Sequence, residues 1–83
     1  MIRVELVIWQ DPETLSGWRE TDEVHAWAKM PLGTCMSVGF VVDENDDTIV
    51  IAPNVARGGF GEPTKIAKSL MQERMVLEEW PEP

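Results

Sequence analysis

CMSVGFVVDENDDTIVIA, residues 35–52, is the stretch whose reading decides the fold. Val38, Phe40 and Val42 recur at every second position, and so do Ile49 and Ile51, which is the period of a half-buried strand. Between the two apolar runs lie Asp43, Glu44, Asn45, Asp46 and Asp47, residue types that occupy solvated turns. The stretch reads as a β-hairpin and puts an antiparallel sheet at the centre of the protein. Gly39, inside the first run, marks a bulge or sharp bend, the device by which small sheets curl.

Working outward, residues 2–9 also alternate. Ile2, Val4, Leu6 and Ile8 form one face, expected to be the core side, and Arg3, Glu5, Val7 and Trp9 form the other. That second face turns apolar at Val7 and Trp9, which requires cover from a later segment or another subunit. From Gln10 to Gly33 the period breaks into an excursion punctuated by Pro12, Gly17 and Pro31. Within it Thr21 can cap a short helix, Asp22 and Glu23 suit its N-terminus, Lys29 suits its C-terminus, and Pro31 ends it. Val24, Trp27 and Ala28 share a helix face expected to lie on the sheet. After Ala52, PNVARGGFGEP reads as a loop, because Gly and Pro leave no element room to form.

The last segment, TKIAKSLMQERMVLEEW, supports two readings. Its composition and the helical spacing of Ala67, Leu70, Met71 and Met75 favour a helix over 65–80 capped at Thr64. The other reading is a short strand at Lys65–Lys68, a single turn at Ser69–Met71 and a last strand near Glu73–Glu78. With that second reading, the hairpin, bend and short turn predict a mainly β fold: a five-stranded SH3-like or Sm-like small barrel with one short helix in the 10–33 excursion. The first gives α+β with a C-terminal helix.

VELVIWQD at residues 4–11, Gly17–Trp18, SVGFVVDENDDTIVIA at 37–52 and KIAKSLM at 65–71 together resemble small uncharacterised accessory proteins of tailed phages and prophages. Their pattern is a strand ending in Trp and Asp, a Thr/Ser-x-Gly strand, an acid-rich turn, a strand ending in Ala, and an Ile-Pro-Lys-Ser turn before the last strand. This chain departs from it at Ala67, where the pattern has Pro. The resemblance implies the same small barrel and a setting in the bacterial host cytoplasm.

Composition bounds the function. The 83 residues make one domain, 1–83, and a chain of this length buries only roughly 60–65% of its unfolded surface, so a partner interface would add to its stability. Fifteen acids against seven bases, a net charge of -8, disfavour nucleic acid as a partner, because phosphate neutralisation needs clustered Lys and Arg. The single cysteine, Cys35, forms no intramolecular disulfide and fits a reducing compartment. The N-terminal MIRVELVIWQ carries charges within its apolar run and has no small-residue cleavage site. No stretch approaches the ~20 apolar residues of a membrane span. A soluble cytoplasmic protein with no membrane partner is expected.

Few residues carry chemistry. Asp43, Asn45 and Asp47 begin like a calcium loop, but Thr48 and Asn54 stand where such a loop needs Gly and Glu. His25 is the only histidine, so no metal site is expected, and Cys35 on a strand reads as a small buried hydrophobe rather than as half of a dyad with His25. No nucleophile elbow or phosphate loop is present, so the chain is expected to be no enzyme and to need no cofactor. Arg57, Gly58, Gly59, Phe60 and Lys65 form the one segment with a ligand-binding character: glycine N–H groups and an Arg fork can hold an anion, and Phe60 can stack. Four tryptophans exceed what so small a core can hold, which makes Trp9 and Trp18 the expected interface residues.

The function expected is therefore a non-enzymatic binding or assembly module of phage accessory type, acting as a homo-oligomer. The alternative is sequestration of a small nucleotide-like anion through the Gly-rich loop. Sm-like RNA binding and inhibition of a host protein rank below both.

Overall fold

The computed structural model describes residues 1–81 and is mainly β with one short helix. Strand β1 runs Ile2–Asp11, helix α1 Thr21–Ala28, β2 Gly33–Glu44 and β3 Thr48–Ala52. Strands β2 and β3 are the two arms of the expected hairpin. Three short strands follow, β4 Asn54–Ala56, β5 Gly59–Gly61 and β6 Thr64–Ala67, then a 3₁₀ turn at Lys68–Leu70 and the closing strand β7, Met71–Trp80. A five-stranded antiparallel sheet has the order β6-β3-β2-β1-β7, and β4 and β5 pair separately.

The tip between β2 and β3 is built by Asn45. Its Oδ1 accepts hydrogen bonds from the backbone N–H of Asp47 (2.8 Å) and Thr48 (2.9 Å), and its own N–H donates to the Thr48 carbonyl at 2.9 Å. The amide oxygen that a calcium loop would use is thus committed to an Asx turn. One ladder irregularity falls between Val41 and Asp43, so the bulge lies beyond Gly39 rather than at it. Gly39 serves instead as a point of close approach, since a Cβ there would come within 2.9 Å of the Ala52 carbonyl oxygen. Only glycine lets the end of β3 press that closely on β2.

The C-terminal segment is strand, turn and strand, and the helix over 65–80 does not form. β7 pairs with β1 from Ile2–Trp80 to Trp9–Met71, so ten residues of helix-prone sequence are claimed by ladder hydrogen bonds and cross-strand packing. A three-residue turn joins β6 to β7, although they are the opposite edges of the sheet. The sheet must therefore curl until its edges meet at a corner. No β6–β7 ladder closes it among the described residues, and the expected closed barrel is corrected to an open, curled sheet.

The core lies inside the curl: Val7, Ile49, Ile51 and Ile66 are buried, with Trp9, Val41 and Met71 packed against them. Register shows that β1 is turned over relative to expectation beyond Ile2, which is buried as expected. Val7 and Glu5 face inward, while Val4, Leu6 and Ile8 face out, paired with Phe40, Val38 and Met36. A period of two says which residues share a face but not which face is inner; the later strands decide that, and β3 and β6 lie over Val7.

Two further expectations change. PNVARGGFGEP holds the β4–β5 hairpin, because Gly58 at φ 88° supplies the left-handed residue of a two-residue turn after Arg57. Helix α1 forms at Thr21, with Glu20 rather than Thr21 at the cap position and Lys29 closing the last turn, but it does not lie on the sheet. None of its residues is buried. Trp27 instead shares an apolar hollow with Leu15, Val24 and Trp18 inside the excursion itself.

Candidate functional site

The residues singled out for ligand binding are spread over the β4–β5 hairpin and β6. Arg57 and Gly58 make the exposed turn of the β4–β5 hairpin, Gly59 and Phe60 lie on β5, and Lys65 sits on β6 opposite Val50. Of these five, Phe60 alone lines the largest cleft described, about 580 Å³, whose other walls include Arg3, Asp43, Glu44 and Lys68. The two tryptophans also part company. Trp9 is half-buried against the core and its indole N–H donates to Ser37 Oγ at 3.0 Å, whereas Trp18 is 97% exposed.

Beside that cleft stands a charged cluster that sequence reading did not single out. Glu5 is fully buried, and Arg74 grips both its oxygens, Nε to Oε1 and Nη2 to Oε2, each at 2.8 Å. Arg3 adds a third hydrogen bond to Glu5 at 3.0 Å. Both arginines also reach Glu44, which Lys68 contacts at 2.6 Å. The cluster ties β1, β2, β7 and the 3₁₀ turn together where the curled sheet stays open. Arg74 holds the Glu5 carboxyl below the ordinary carboxylate range despite its burial, and Arg74 with Lys68 brings Glu44 down to about 2. Every buried side-chain polar atom described has a hydrogen-bond partner, so the cluster is satisfied internally. The signal for it was present only as Arg3 and Glu5 two residues apart on one face of a largely apolar strand; the other partners lie up to 69 residues away.

Cys35 is half-buried on β2, opposite Trp9. Partial burial and the neighbouring Asp11 push its thiol above the ordinary value, which lowers its thiolate fraction. His25 is exposed on α1.

What the fold leaves open is the outer side of β7, β1 and β2. Register places Val4, Leu6 and Ile8 of β1 beside Phe40, Val38 and Met36 of β2, with Met75 of β7 next to Leu6. Met36 is 69% exposed and Met75 56%, and no described element covers the centre of this face. At its lower end Ile2, Phe40, Val55 and Trp80 line an apolar groove of about 240 Å³. Beyond its upper end projects the arm, residues 12–32, carrying Leu15, Trp18, Val24, Trp27, Met30 and Leu32. The arm leaves β1 at Asp11 and returns at Gly33, a paired position, and Glu13 Oε1 accepts from the Gly33 N–H at 2.7 Å.

The dimensions agree. A compact chain of 83 residues has a radius of gyration of about 12 Å; this one has 16.2 Å and a long axis of 53 Å. It exposes 6214 Å², whereas a compact monomer of 9.4 kDa exposes about 5000 Å². The excess, about 1200 Å², compares with about 800 Å² per partner in a standard protein interface. Against known proteins, no family model, no curated protein and no solved structure matches this chain.

Proposed function

We propose that this chain is a non-enzymatic assembly module whose working surfaces are protein-binding ones and whose first partner is another copy of itself. The observation that carries this is the open apolar face of β7, β1 and β2 together with about 1200 Å² of surface beyond what a compact monomer exposes. Apolar surface removed from water stabilises an association. The phage-accessory resemblance supplies a setting for such a module in a bacterial host cytoplasm. Size-exclusion chromatography with light scattering is the test: a defined oligomer at micromolar concentration is expected, and a clean monomer there refutes the proposal.

Sequestration of a small anion has one observation in its favour, the placement of Phe60 in the same cleft as Arg3 and Lys68. Both of those cations are paired with Glu44, which leaves them little charge to offer. A thermal-shift screen with nucleoside phosphates tests it; a rise in melting temperature that Phe60→Ala abolishes is the supporting result.

A further inference from the structure

The exposed apolar surface is distributed in a way that names its occupant. Beyond the Asp11 end of β1, in the arm, is a knob, Trp18, with 97% of its surface in water. At the Ile2 end of β1 is the groove lined by Ile2, Phe40, Val55 and Trp80. Strand β1 joins the two ends, and its ten residues span about 33 Å. The arm leaves the ladder at the Asp11–Gly33 pair, which the Glu13 hydrogen bond braces, at the opposite end of β1 from the groove.

Resting on the assembly reading above, we infer that two copies exchange arms. Each lays residues 12–32 across the outer face of the partner's β7, β1 and β2 and seats Trp18 in the groove that Ile2, Phe40, Val55 and Trp80 form on the other copy. A second copy fits better than an unrelated partner for two reasons. Knob and groove sit at opposite ends, so an antiparallel two-fold axis satisfies both pairs at once, the self-complementarity that a closed dimer requires. The sheet face alone is also too small. Three strands by seven residues cover a footprint of only about 14 by 23 Å, while the excess surface of about 1200 Å² per copy calls for the arm to be covered as well. Tryptophan is the side chain most often found anchoring such a contact.

Disulfide trapping tests the geometry, in the full chain with Cys35→Ser so that only introduced thiols react. Trp18→Cys and Val55→Cys are combined in one chain, and each is also made alone. Mild oxidation should convert most of the double variant into a covalent dimer on non-reducing gels, and neither single variant should cross-link comparably. Trp18→Ala should weaken dimerisation at least tenfold by light scattering over a dilution series, with the circular dichroism spectrum unchanged because Trp18, 97% exposed, only edges the hollow that it shares with Trp27. Cross-linking by Trp18→Cys alone would mean that arms meet each other, and would overturn the exchange. A ladder of larger covalent species would mean head-to-tail chains and would overturn the two-fold pairing. A wild-type dimer with no cross-link refutes the knob and groove while leaving the assembly proposal standing, and a wild-type monomer refutes both.

Discussion

Replacing Arg74 with alanine is the most direct probe of what holds the curled sheet in shape. The side chain makes four of the hydrogen bonds in the cluster, two of them the bidentate grip on Glu5. Glu5 is 0% exposed, so the variant leaves a buried carboxylate with Arg3 as its one remaining partner. Removing one member of a buried ion pair costs about 3–5 kcal/mol, and the lower figure applies here because Arg74 itself is one-third exposed. A domain of this size has roughly 4–12 kcal/mol of stability in all, and a loss of about 3 kcal/mol lowers its melting temperature by more than about 10 °C. The assay is urea denaturation at one fixed protein concentration, since self-association would couple to unfolding. The loss should be largest at pH 7 and should narrow as pH falls below the ordinary carboxylate range, where a proton on Glu5 removes the uncompensated charge. A Glu5→Leu, Arg74→Met double variant should recover most of the loss, because an apolar pair needs no partner. A loss under about 1 kcal/mol, or one that does not change with pH, would refute the view that Glu5 is a desolvated charge held by Arg74.

The wild type should itself lose stability in acid. Glu5 and Glu44 are both held below their ordinary value of 4.5, Glu44 at about 2, so their contribution is complete above pH 4.5 and disappears as pH falls toward 2; melts across that range check it, and a flat profile contradicts it. Gly39→Ala should cost about 1–3 kcal/mol, because the new Cβ meets Ala52 backbone at 2.9 Å, while Gly33→Ala should cost less, since what it meets is the movable end of Glu13; chemical denaturation of the pair gives the comparison. Asn45→Ala should cost about 1 kcal/mol by removing the acceptor shared by Asp47 and Thr48, and equal stability of Asn45→Ala and wild type would show that the turn needs no Asx bond.

Local pattern was enough for the hairpin. Val38 to Val42 and Ile49 to Ile51 alternate, Asn45 and its acidic neighbours turn, and Pro31 ends a short helix; each rule acts within a few residues, so each was legible without a fold. The candidate site was much less so. Trp18 was recognisable as an aromatic too many, but Trp9 looked equivalent in sequence and differs only because β3 and β6 pack over its side of β1. Arg57 and Lys65 lie close together in sequence, yet they fall on different elements, the β4–β5 turn and β6. The Glu5 cluster was hidden because hydrogen bonds that cross 30 and 69 residues leave no trace in spacing.

By itself, then, the sequence determined period and propensity: a hairpin at 35–52, strand character at 2–9, a helix bounded by Thr21 and Pro31, and a mainly β chain wherever the final segment avoided helix. Tertiary structure decided the rest, since the quantities involved are relations between distant segments. The pairing of β7 with β1 overrode ten helix-prone residues, the packing of β3 and β6 chose which face of β1 became core, and the short turn from β6 to β7 curled the sheet without closing it. The same curl left Leu6, Val38 and Met75 facing water. Alternation could show that these residues share a side, but only the assembled sheet reveals that nothing within the described chain covers them.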